Sequence, residues 1–130
     1  MIRNKAIKEA ENGNVETDDD ERLYELQANV CLALANPKRL RVLNLLKDHE
    51  LSVGEMTEAV GITKANLSQH LAILRQQNLV RTRREGTTIF YRLANPKITE
   101  ACAIMRSVLA ESLTISERLS RTLKENGRAK

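Results

Sequence analysis

The chain has 130 residues, 42% hydrophobic, only 2% aromatic and 29% charged, with a formal net charge of +4. That length holds one domain with a modest aliphatic core and leaves no room for a second fold. No apolar run approaches the roughly 18 residues of a membrane span and Met1 to Asp20 lacks a signal-peptide stretch, so a cytoplasmic protein with no membrane partner is expected.

Residues 1–20 start basic, turn acidic at Asp18, Asp19 and Asp20, and show no sustained apolar period, which predicts a mobile N-terminal tail. The folded domain is expected over 21–125. Its first helix carries Leu23, Leu26, Val30 and Leu34 at helical spacing, behind an acidic cluster that suits a helix N-terminus. Asn36-Pro37 pairs a good N-cap with proline at the first helical position, so a second helix runs to about Lys47. Ser52 and Glu55 form a capping box for a short helix that Gly61 ends, and Thr63 caps the next helix, Lys64 to Gln77.

From Leu79 the period changes to alternation. Val80 to Arg84 and Thr87 to Leu93 read as two strands around Glu85-Gly86, where the turn needs positive φ. Asn95-Pro96 repeats the cap and launches a last helix bearing Ile98, Ala101, Cys102, Met105, Val108 and Leu109, which continues, whole or broken, toward Leu123. The fold class is therefore mainly α with a β-hairpin wing: a winged helix-turn-helix.

The basic residues concentrate in the middle. Asn36 to Leu93 holds Lys38, Arg39, Arg41, Lys47, Lys64, Arg75, Arg81, Arg83, Arg84 and Arg92 against Asp48, Glu50, Glu55, Glu58 and Glu85. A helical wheel of Lys64 to Gln77 puts Leu67, Leu71 and Leu74 in one arc and leaves Ala65, Asn66, Ser68, Gln69 and Ala72 outward. Asn and Gln can bond adenine bidentately, Ser can donate or accept, and Ala fits a thymine methyl, so this face can read bases. Lys64, Arg75, Lys38 and Arg39 suit phosphates, and the hairpin tip, Arg83, Arg84 and Thr87, extends the basic surface toward a neighbouring groove. Each element alone is compatible with an ordinary solvated face; the ordered set points to double-stranded DNA.

Leu32 to Leu43 (LALANPKRLRVL), Leu67 to Arg75 (LSQHLAILR), Leu79-Val80, Arg83 to Gly86 and Phe90 to Leu93 resemble the ArsR family of bacterial winged-helix repressors over about residues 21 to 112. The resemblance implies a homodimer joined through the first and last helices, binding an imperfect palindromic operator and released by an inducer.

The family's metal sites do not carry over. Ser52 and Gly54 stand where the arsenic- and cadmium-type members need thiolates. Asn95, Lys97 and Val108 stand in the zinc-type site, where only Glu111 could ligate, and one ligand holds no zinc. His49 reads as a loop residue and His70 as a packing or phosphate-facing group. No metal and no cofactor are expected.

The remaining effector candidates are Cys31 and Cys102, free thiols in a reducing compartment, on helices expected to pack together. They are either small buried hydrophobes or a thiol switch for oxidants or reactive sulfur. Persulfide-sensing relatives place their cysteines elsewhere, since Asn44 occupies the approximate position of the first and Cys102 falls earlier than the second.

An enzyme is not expected, because the sequence offers no phosphate loop, no nucleophile paired with a base and no carboxylate cluster outside the acidic tail. The alternatives to an inducible repressor are a metalloid sensor, a constitutive regulator, or a winged helix used for protein contact.

Overall fold

The computed structural model describes residues 17–128. In chain order it contains α1 (Asp18–Leu34), α2 (Pro37–Leu45), β1 (Leu51–Ser52), α3 (Val53–Val60), α4 (Lys64–Gln76), β2 (Val80–Glu85), β3 (Thr88–Leu93) and α5 (Lys97–Arg128). Most of the tail expected over residues 1–20 lies outside the described residues. Its last part is helical: Thr17 accepts from the Asp20 backbone N–H at 3.3 Å while the Asp20 carboxylate accepts from the Thr17 N–H at 3.1 Å. This capping box moves the start of α1 back to Asp18.

The other helix starts follow the same chemistry. Asn36 Oδ1 accepts from the Lys38 and Arg39 N–H groups at 2.9 and 3.2 Å, with Pro37 at the first helical position. Ser52 and Glu55 close a reciprocal box on α3, and Thr63 caps α4 through the Asn66 N–H. Between α3 and α4 lie Gly61, Ile62 and Thr63, with Gly61 at φ +73°, where a side chain would be strained. That turn makes α3 and α4 a helix-turn-helix.

The exit of α4 is less legible in the sequence. Asn78 takes φ +57°, the Leu79 N–H bonds Leu74 O at 3.0 Å and the Asn78 N–H bonds Arg75 O at 3.0 Å. This is a Schellman ending with asparagine in the left-handed position, and its two apolar members, Leu74 and Leu79, are both buried.

The sheet has three strands, ordered β1-β3-β2 and antiparallel throughout. The hairpin β2–β3 was expected; β1, which pairs Leu51 with Tyr91 and Ser52 with Phe90, was not. Two residues are too few to show alternation, and their pairing is decided by partners about forty residues away. Val80, Thr82, Tyr91 and Leu93 lie on the sheet face toward the core, and Arg81, Arg83 and Arg92 on the other.

The core is aliphatic. Ala33 from α1, Val42 and Leu43 from α2 and Leu46 just past its end meet Met56 and Val60 from α3, Leu67, Leu71 and Leu74 from α4, and Leu79 and Val80. α5 joins it only at its start, through Ile98 and the buried Thr99, whose hydroxyl donates to Pro96 O at 2.9 Å. Beyond that, α5 continues unbroken to Arg128, about 48 Å in all at 1.5 Å per residue.

The first and last helices were expected to pack together, and within one chain they do not form an extensive contact. Leu23, Tyr24 and Leu32 of α1 and Met105, Val108, Leu109, Leu113, Leu119 and Leu123 of α5 are all more than half exposed. Among the described residues no helix is long and apolar enough to cross a membrane.

Candidate nucleic-acid interface

α4 presents two opposed faces. Leu67, Leu71 and Leu74 are at most 1% exposed and anchor the helix on α2 and α3. Lys64, Ala65, Asn66, Ser68, Gln69, Ala72, Arg75 and Gln76 are all exposed. Ala65, Asn66, Ser68 and Gln69, the residues expected to face bases, are thus carried on a helix whose buried side is fixed, which keeps their spacing rigid. Gln76, absent from the sequence-based set, shares this surface one turn beyond Ala72 and Ile73.

The cations divide into open and engaged groups. Lys38, Lys64, Arg75 and Arg84 are exposed and form no salt bridge among the described residues. Arg83 is engaged on three sides. Its Nε donates to Glu50 Oε1 at 2.7 Å, its Nη1 to Glu85 Oε2 at 3.0 Å, and its Cζ lies 4.8 Å from the centre of the Phe90 ring.

In strand order, Arg83 on β2 reaches over Phe90 of the central β3 to the carboxylate just ahead of β1, so one side chain clasps the whole sheet. Both carboxylates hold its pKa above the ordinary arginine value. Two negative charges on one guanidinium leave a local excess of negative charge, which disfavours a phosphate there. Glu50 was not picked out in the sequence, because 33 residues separate it from Arg83.

Arg84 sits on the opposite face of β2, across from Ile89. The tip, Gly86-Thr87, is a two-residue loop with Gly86 at φ +62°. Thr87 is exposed there.

Arg39, expected to face phosphate, is half-buried. Its Nε donates to Ala33 O at 2.5 Å and its Nη1 lies 3.3 Å from His70 Nδ1. Burial, then the charges of Arg39 and Lys38, hold the His70 pKa below 6.5. The shift favours the neutral ring, which lies half-buried on the inner flank of α4.

Neither thiol is fully buried: Cys31 is exposed and Cys102 half-buried, and both are reduced. Cys31 lies on a part of α1 that one chain leaves open, whereas Cys102 shares the partly covered start of α5 with Ile98 and Thr99. Among the described residues no three or more His, Cys, Asp or Glu side chains cluster as a metal site would.

A helix-turn-helix backed by an aliphatic core, an exposed polar readout face and a basic hairpin beside it together define a winged helix-turn-helix DNA-binding domain. Residues 36–82 match the sequence model of the bacterial regulatory protein, arsR family. The chain belongs to that family.

Over 112 residues, 85% of this chain and 98% of the relative, it is 39% identical to the HTH-type transcriptional regulator Rv0081 of Mycobacterium tuberculosis. The crystal structure of Rv0081 matches with a TM-score of 0.64 at 43% identity, covering 71% of this chain and 93% of that one. The solution structure of the homodimeric winged helix-turn-helix DNA-binding domain of Mb0332, from Mycobacterium bovis, matches with a TM-score of 0.68 at 35% identity, over 75% of this chain and 90% of that one. The biofilm growth-associated repressor of Xylella fastidiosa is 39% identical over 83 residues, 64% of this chain and 73% of the relative. The protein is accordingly a DNA-binding regulator of transcription.

Proposed function

We propose that the chain acts in the cytoplasm as a homodimeric repressor on an imperfect palindromic operator, with one α4 in each of two successive major grooves. The observation that carries this reading is the pairing of a rigid, exposed readout face with an uncovered apolar surface on the first and last helices. A monomer would leave Leu109 59% and Leu119 60% exposed, in a patch of the kind that soluble proteins cover with a partner. A second copy covers it symmetrically, and a two-fold axis brings two recognition helices to one side of the duplex, spaced by about one helical turn.

In this reading Ala65, Asn66, Ser68 and Gln69 read base edges. Lys64, Arg75 and Lys38 meet phosphates, and Arg84 and Thr87 follow the duplex from the wing. Selection of bound duplex from a random pool tests it: enrichment of an inverted repeat with half-sites about 10–11 base pairs apart is expected, and single, unrepeated sites would reject the dimeric reading. A binding constant that does not change with salt would reject DNA contact altogether.

The inducer acts, on the same proposal, through the thiols. Cys31 and Cys102 lie on the two helices that carry the uncovered apolar surface and are accessible to a small reagent before assembly. Polysulfide or peroxide should release the selected duplex from wild type and not from Cys31→Ser. Identical titration curves for the two proteins would remove the thiol mechanism and leave DNA binding intact.

A further inference from the structure

α1 ends without a basic residue in its last turn, and its final carbonyls need donors from elsewhere. The Ala35 and Asn36 N–H groups bond Leu32 O and Leu34 O, and Arg39 of α2 adds the rest: Nε bonds Ala33 O at 2.5 Å and Nη2 reaches Leu32 O at 3.5 Å. The remaining nitrogen, Nη1, points the other way, to His70 Nδ1 on α4 at 3.3 Å. One planar guanidinium thus touches the end of a terminal helix on one edge and the DNA-reading helix on the other.

Arginine offers donors only, so Nδ1 must accept, which requires a neutral ring with its proton on Nε2. The depressed pKa of His70 agrees with that state. The charges that face the ring, Arg39 and Lys38, both come from α2, and α1 contributes only uncharged carbonyls through Arg39.

We propose that Arg39 is a positioning residue for DNA recognition: through neutral His70 it ties the roll of α4 to the C-terminal end of α1. The inference rests on reading α4 as the helix that enters the groove and α1 as part of the dimer seam. His70 occupies the flank between the buried Leu67, Leu71 and Leu74 row and the exposed Ser68 and Gln69. On a helix of about 5 Å radius a roll of about 20° moves a flank atom by roughly 2 Å, which is enough to break a hydrogen bond. Any movement of α1 at the seam is therefore transmitted to the readout face, or else costs the Arg39 bonds.

Protonation of His70 would turn its acceptor into a donor and set a third positive charge beside Arg39 and Lys38. The sign follows from the direction of the shift: the tie is whole where the ring is neutral and is lost as the pH falls through the lowered pKa of His70.

The test uses the full chain and a duplex selected by the wild-type protein from a random pool. Arg39→Gln and His70→Phe should each weaken binding about tenfold, and the double variant should bind no more weakly than the weaker single, as coupled partners do. The slope of log affinity against log salt should stay at the wild-type value in all three. His70→Asn, whose Oδ1 can take the place of Nδ1, should bind like wild type at pH 7.5 and keep that affinity as the pH is lowered through the His70 titration, where wild type loses it.

A slope reduced by about one unit in Arg39→Gln would make Arg39 a phosphate contact and overturn the proposal. Additive single effects would overturn it too. Amide hydrogen exchange on the free protein keeps the proposal separable from the DNA reading. Arg39→Gln and His70→Phe should both speed exchange at the end of α1 and along α4, even if no duplex binds. Unchanged exchange in both would reject the tie. Should Arg39→Gln fail to fold, Arg39→Lys, which keeps the charge but cannot bridge both partners, takes its place.

Discussion

Among the residues, the arginines show most clearly that charge alone does not assign a role. Arg83 and Arg84 are neighbours in sequence and both basic, yet alternation sends them to opposite sheet faces, where Arg83 finds Glu50 and Glu85 and Arg84 finds no carboxylate among the described residues. Arg84→Gln is therefore expected to lower the salt slope of duplex binding by about one unit, whereas Arg83→Gln should leave the slope unchanged and accelerate hydrogen exchange in β2 and β3. Glu50→Gln should reproduce the Arg83→Gln exchange pattern. Equal slope losses for Arg83→Gln and Arg84→Gln would contradict the clasp. His70 makes the same point in a titratable group: the lowering of its pKa follows from burial and from two cations that precede it by some thirty positions.

At the scale of elements, helix starts are local and were legible, because a cap and its partner lie two or three residues apart. Asn36 with Lys38 and Ser52 with Glu55 are of this kind; Thr17 with Asp20 is as local, yet the polar, acidic run around it read as tail. Ser52→Ala removes the hydroxyl that accepts from the Glu55 N–H, leaving only the Ser52 backbone N–H bond to the Glu55 carboxylate, and should destabilise the domain by about 1 kcal/mol in urea unfolding. Asn78→Val places a β-branched side chain at φ +57° and should cost roughly 1–2 kcal/mol, with α4 fraying at Arg75 and Gln76 first. A stability for Asn78→Val equal to wild type would show that the α4 ending can rearrange. Strand β1 and the unbroken course of α5 were not legible in this way. The first exists only through pairing to β3, and the second depends on what covers the exposed half of the helix.

The whole molecule depends on surfaces that one chain leaves open. Leu109 and Leu119 touch no core residue, so Leu109→Glu and Leu119→Glu should keep the far-ultraviolet spectrum of the wing domain while shifting the sedimentation coefficient to that of a monomer. Affinity for a selected inverted repeat should then drop by well over tenfold, since each α4 binds alone. By contrast Leu67→Ala, at 0% exposure in the centre of the core, should cost about 2–5 kcal/mol and weaken folding and DNA binding together. A dimer that survives both glutamate substitutions would place the seam elsewhere.

The sequence by itself determined the element order, the helix caps, the aliphatic core stripe and the polar outer face of α4, because each is written in spacings of a few residues. It also carried the family, through the strings around Asn36-Pro37 and Leu67 to Arg75. Only the tertiary structure decided which cations are open. Arg39 and Arg83 meet carbonyls, carboxylates and an imidazole that adjoin them only after folding, and a basic residue beside an acceptor in space is no longer the same charge. It likewise decided that most of the apolar surface of α1 and α5 stays uncovered within one chain, since the core takes in only the end of α1, through Val30, Ala33 and Leu34, and the start of α5, through Ile98.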